Sequence, residues 1–244
     1  MSPDSSPIRW KQLLSLAALY GSVIIGWIAY YRYQPRLLEE FGLGHLSIFL
    51  VMAQGLILVI TPPIAGKLGD RYRVTKGHRI PIISAGMSFA AMIFMAVAFA
   101  LITHPGELVR LALPAMIILW LLGMSIFTSP ALSTVELFAP VDKLPLAMAV
   151  LTIVGNLVNA LEPVIVDVID YMGAAATFSV GGVAVFLSGY ALKRTSLDLF
   201  KSKGEKQEDT SPERSRYVFI LILGIGLGIA TTVLFNLFPH PLER

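Results

Sequence analysis

Cysteine is absent from the 244 residues, which excludes a disulfide framework, thiolate metal ligation and thiol nucleophiles together. Charge is scarce as well. Only 14% of residues are Asp, Glu, Lys or Arg and 55% are hydrophobic, against roughly 25% and about 45 to 50% in soluble domains. So little charge cannot clothe a water-facing surface, and the surplus apolar surface is expected to meet lipid. Catalytic signatures are lacking too: there is no Gly-rich phosphate loop, no paired-histidine metal helix and no nucleophile elbow. His45, His78, His104 and His240 lie at the edges of apolar segments, which suits solvated loop residues better than ligands. No enzyme activity, cofactor, metal or nucleic-acid partner is expected.

What the chain does have is long uncharged runs. Residues 12–31, 46–66, 80–106, 111–135, 144–161, 171–192 and 217–240 contain no Asp, Glu, Lys or Arg, and a membrane crossing needs about 20 helical residues. Lipid offers no partner to backbone groups, so each run must satisfy its own as a helix. A barrel is excluded because its strands would be near 10 residues long and alternate in polarity. The first run is too long for a signal-peptide core, which spans about 7 to 15 residues, and no small-residue cleavage pattern follows it. The expected architecture is an all-α membrane protein: a six-helix bundle over residues 1–194, a cytoplasmic linker over 195–216, and a seventh transmembrane helix with a short outer tail over 217–244.

Lysine and arginine set the orientation, because positive flanks are retained in the cytoplasm. With the N-terminus inside, 15 of the 19 cations fall on inner flanks; only Arg32, Arg36, Arg110 and Arg244 fall outside. The expected location is the plasma (inner) membrane, with the N-terminus cytoplasmic and the C-terminus outside. This topology differs from that of a hormone-receptor-like protein, whose N-terminus is outside. A retinal protein is excluded because residues 217–240 contain no lysine for a Schiff base.

The connection after the second segment reads Pro62-Pro63-Ile64-Ala65-Gly66-Lys67-Leu68-Gly69-Asp70-Arg71, then Tyr72-Arg73-Val74-Thr75-Lys76-Gly77-His78-Arg79-Ile80-Pro81. Gly66 would let two helices approach closely, and Asp70 with Arg71 places opposite charges at a helix end. Glu136, at the same expected face after the fourth segment, is placed to pair with Arg71 or Arg79. Arg73, Lys76 and His78 fit a simpler role in fixing topology. The stretch resembles the loop between helices 2 and 3 of the major facilitator superfamily. Gly77-x-Arg79-x-Pro81 is similar to its sugar:cation symporter branch, and Ser129-Pro130-Ala131 with Glu136-Leu137-Phe138-Ala139-Pro140 resembles the end of the family's helix 4. The resemblance implies a cytoplasmic gate at Gly66, Asp70, Arg71, Gly77, Arg79 and Glu136 that breaks when the carrier opens inward. The resembled family has 12 helices in two halves, and its Asp at the position of Asp70 faces the second half. Arg73 stands where that family usually has a further glycine.

Polar side chains within a crossing are costly and face a cavity or a helix interface. Asn156, Asn159, Glu162 and Asp167 fall within a sector of roughly 140 degrees if 144 onwards is one continuous helix. They either line a solute path, with Glu162 titrating or pairing with a cation, or bond to neighbouring helices. Arg32 and Tyr33 suit boundary anchors; Tyr30, one turn deeper than Tyr33, either anchors the helix too or reaches that path, as the resemblance implies, since helix 1 lines the cavity in the resembled family. Gln54 is the amide of the second segment and suits a helix-to-helix bond as much as a ligand. The glycines at 224, 226 and 228 give the seventh segment a smooth face for a partner helix. Pro63 and Pro163 each precede an aspartate, Asp70 and Asp170, by seven residues, as an inverted repeat would produce. Two functions fit. One is a half-length secondary transporter of a small solute that pairs with a second copy or a partner half, and the other is a non-transporting membrane scaffold or assembly subunit.

Overall fold

A computed structural model describes residues 7–103, 106–202, 222–223 and 226 of the chain. The expected all-α membrane fold is what it shows: seven α-helices and no strand among the described residues. They are α1 (Trp10–Glu40), α2 (Ser47–Lys76), α3 (Ile80–Ile102), α4 (Glu107–Ser133), α5 (Leu144–Ala160), α6 (Glu162–Met172) and α7 (Ala174–Ser202). Six of these regions are long and apolar enough to cross a membrane, α6 being the exception. The chain divides into two compact units, Met1–Lys206 and Gln207–Arg244. In the second unit the described residues, Ile222, Leu223 and Gly226, are helical. The rest of the expected seventh crossing, with its glycines 224 and 228, lies outside the described residues.

Local chemistry explains the breaks between helices. Proline occupies the first turn of α3, α5 and α6, where its missing N–H costs no hydrogen bond. Gly77 ends α2 with φ +79°, a left-handed conformation that a Cβ would disfavour, and its N–H donates to the Arg73 carbonyl at 2.9 Å. Several hydroxyls within the crossings are satisfied by their own helix: Ser125 donates to the Leu121 carbonyl at 2.7 Å and Thr128 to the Met124 carbonyl at 2.6 Å. Such back-bonding removes the need for water at these positions.

Two expectations about helix limits change. The fifth segment breaks at Leu161, with Pro163 in the first turn of a new helix, so the polar stripe is split: Asn156 and Asn159 lie on α5, Glu162 and Asp167 on α6. At the other boundary α7 continues through Ser202, so residues 195–202, expected to belong to a linker, are helical.

The core lies among α1, α3, α4 and α7. Phe94, Phe127, Leu16, Leu121 and Met124 are almost wholly enclosed. Lipid gives no hydrophobic drive to helix association, so close packing must supply it. A Cβ on Gly86 of α3 would stand 2.8 Å from the Phe127 Cβ of α4 and 3.1 Å from its backbone nitrogen, which is why glycine sits at that crossing. α2 packs on α4 and α5 packs on α1, at the margins of the core. The apolar windows of these two helices are each 17% buried, against 33 to 56% for the other four crossings.

Candidate functional site

At the end of the bundle where α2 turns into α3, the sequence doubles back at Gly77, which sets Arg79 as the residue preceding α3. Its guanidinium then reaches back along α2. Arg79 Nη2 donates to Asp70 Oδ1 at 2.6 Å and Nε to the same oxygen at 3.1 Å. Nη1 donates across to α4 and the turn beyond it, to Ser133 Oγ at 2.6 Å and Glu136 Oε1 at 3.3 Å. Arg73 Nη1 donates to the same Glu136 oxygen at 3.2 Å. Two cations and two carboxylates thus form a neutral cluster tying α2, α3 and α4. Within it the Arg79 side chain is 13% exposed, whereas Asp70 is 56% and Glu136 44% exposed. Beside the cluster, partial burial pushes the His78 imidazole below its usual value of 6.5.

The gate residues named from sequence are therefore only partly assembled. Asp70, Arg79 and Glu136 come together, and Gly77 supplies the turn that allows it. Arg71 is exposed, and its side chain makes no ion pair among the described residues. Gly66 has no neighbour within 4 Å of a would-be Cβ. The glycine at the contact is Gly69, buried, whose Cβ would lie 3.6 Å from both the Arg79 Cδ and the Pro130 Cβ.

Deeper in the bundle, Tyr30 and Gln54 meet. The Tyr30 hydroxyl donates to Gln54 Oε1 at 3.1 Å, and Gln54 Nε2 donates to the Tyr31 oxygen at 3.0 Å. Tyr30 is buried, and its ring lies parallel to Trp120 of α4 at 4.8 Å. Trp120 in turn meets Trp27 edge-on at 5.1 Å and Phe94 at 5.3 Å. This aromatic group does not follow from the polar residues that the sequence singles out; its local signal is Trp27 at one helical turn from Tyr30 and Tyr31. Asn156, Asn159, Glu162 and Asp167 are all exposed or half-exposed, and their side chains make no hydrogen bond among the described residues. They do not join Tyr30 and Gln54 within the described residues.

The opposite end carries a second ionic contact. Asp170 of α6 accepts from Arg32, whose Nε lies 2.9 Å away and whose Nη2 bonds its other oxygen, and from Arg36 Nη1 at 3.1 Å. Tyr33 between them donates its hydroxyl to the Ile169 carbonyl at 2.7 Å. The bonded Arg32 guanidinium holds the Asp170 carboxyl below its ordinary range.

Residues 2–163 match the family model of the Major Facilitator Superfamily. The chain belongs to the major facilitator superfamily. The matched stretch contains the whole Asp70, Arg73, Arg79 and Glu136 cluster, together with Tyr30, Gln54, Asn156, Asn159 and Glu162. No curated protein matches the chain. Membership and the apolar crossings make it a transporter-like integral membrane protein, in a family whose members are transporters rather than enzymes.

Proposed function

We propose that this facilitator-family chain is a half-length secondary transporter of a small solute, completed by a second copy of itself or by a partner half. One observation carries the reading. α2 and α5, the least covered crossings at 17% each, present Gly66, Asn156 and Asn159 on open surface, next to exposed apolar residues such as Ile64, Ile153 and Leu157. Amides facing hydrocarbon are costly, so a surface of this kind calls for another bundle with an aqueous path between. In such an assembly the solute would sit near mid-membrane and the two bundles would rock about it. Gly77-x-Arg79-x-Pro81 supports the sugar:cation symporter-like branch, and the cation distribution supports an inner-membrane protein with a cytoplasmic N-terminus. The Arg79 cluster would then be a cytoplasmic gate.

A scaffold without transport is the second reading, and Asp70 favours it. Its carboxylate is already engaged by Arg79 inside the unit, so no second bundle is needed to satisfy it. The mass of the protein in mild detergent, with disulfide crosslinking through a single Asn156→Cys substitution, tests the carrier formed by two copies. A dimer that crosslinks through position 156 supports the carrier formed by two copies. A monomer that does not crosslink overturns it.

A further inference from the structure

α1 and α7 pack along their lengths and run antiparallel. Gln12 Nε2 donates to the Thr195 carbonyl at 2.9 Å and Thr195 Oγ1 lies 3.4 Å from Ser15 Oγ, while further along the pair the Tyr33 ring meets Phe178 at 5.7 Å. At 100 degrees per residue, Lys11, Leu14 and Ala18 fall within a sector of roughly 60 degrees on α1, and Leu187, Tyr190 and Arg194 within a sector of about the same width on α7. All six are exposed. Two right-handed helices joined antiparallel at Ser15 and Thr195 open both sectors on the same side of that seam. The result is a shallow furrow with apolar banks, Leu14 and Ala18 on one and Leu187 on the other. A cation stands at the same end of each bank.

Lys11 and Arg194 make no ion pair among the described residues, and neither do Arg9 and Lys193 beside them. Asp198 and Lys201, further along α7, cancel in formal charge. This corner thus keeps an excess of positive charge, whereas Arg73 and Arg79 at the same end of the bundle are matched by Asp70 and Glu136. Retaining a flank in the cytoplasm requires only cations near a helix end. It does not require them on the two banks of one apolar furrow. We propose that the furrow between α1 and α7 holds an anionic phospholipid, its phosphate at Lys11 and Arg194 and an acyl chain along Leu14, Ala18 and Leu187. Basic pockets between crossings favour anionic headgroups, and the exposed Trp10 beside Lys11 suits the headgroup level. A free phosphate would use the cations and leave the apolar banks without a partner.

The absence of cysteine makes the chain a ready background for the test. Leu187→Cys carries a single bimane label on the furrow, and the protein is placed in phosphatidylcholine vesicles with a minor fraction of phosphatidylglycerol. Dibrominated acyl chains, which quench bimane on contact, are put on one lipid or the other. Phosphatidylglycerol should associate with position 187 roughly threefold or more tightly than phosphatidylcholine. Lys11→Gln with Arg194→Gln should bring the two lipids to parity, and Lys11→Arg with Arg194→Lys should keep the preference. Lys67→Gln with Arg71→Gln, which removes as much charge elsewhere at that end, should keep it too. A label at Met92→Cys, exposed on α3, should show no preference, and its quenching by phosphatidylcholine reports that each variant is inserted. A preference at position 187 that survives Lys11→Gln with Arg194→Gln, falls equally with Lys67→Gln and Arg71→Gln, or is equal at position 92 would overturn the proposal. So would its loss in excess inorganic phosphate, which would assign the cations to a free anion. An absence of quenching by either lipid would place protein against the furrow and overturn it as well.

Discussion

Replacing Arg79 with Gln should destabilise the folded bundle far more than replacing Arg71 with Gln, although Arg71 is the residue adjacent to Asp70. Arg79 contributes two ion pairs, and with Asp70 56% and Glu136 44% exposed each is discounted to roughly 0.2 to 1 kcal/mol. Its third contact, the 2.6 Å bond to Ser133 Oγ, is charge-assisted and part-buried, and contributes about 1.5 kcal/mol. The combined loss is about 2 to 3.5 kcal/mol, or about 4 to 14 °C in Tm for a chain of this size. Arg71, exposed and without an ion pair among the described residues, should change stability by less than about 0.5 kcal/mol. Thermal unfolding in mild detergent, followed by tryptophan fluorescence, measures both. An Arg71→Gln shift as large as that of Arg79→Gln would refute the placement of the cluster.

Three further outcomes are expected for substitutions, and one for pH. Gly77→Ala should cost about 1 to 2 kcal/mol, because φ at +79° forces a Cβ against the following carbonyl; the same thermal scan reads it. Gly66→Ala, with open space around it, should leave the stability of the monomer unchanged or raise it by up to about 1 kcal/mol of helix propensity, while lowering the dimer fraction if a second copy packs there. Cysteines at 156 and 159 should react with a water-soluble thiol reagent, and protection of both would remove the polar path from α5. His78 has a lowered pKa, so the unfolded chain takes up a proton first as pH falls: stability is retained above about 6.5 and declines as pH drops below it. Tm measured between about pH 7.5 and 5 should show this decline, and His78→Gln should flatten it.

The two ionic contacts lie at opposite ends of the bundle, and each contains one of the paired aspartates, Asp70 or Asp170, that follow a proline by seven residues. The spacing was visible in the sequence, but the use of each carboxylate was not. Asp70 takes an arginine nine residues away, whereas Asp170 takes two that are 138 and 134 residues away. Nothing local to residue 170 distinguishes these cases. The helix break at Leu161 is different, since Pro163 was in view. Pro163 lacks an N–H and crowds the preceding turn, so the polar stripe is interrupted there.

Hydrocarbon imposes its demands segment by segment: a minimum length, few charges and a backbone satisfied within the run. The six described crossings could therefore be read segment by segment from the chain. Which helix meets which is decided by complementary surfaces far apart in sequence, such as Gly86 against Phe127 or Tyr30 against Trp120. That packing alone determined that Glu136 takes Arg79 together with Arg73 rather than Arg71, and that Gly69 rather than Gly66 lies in the contact.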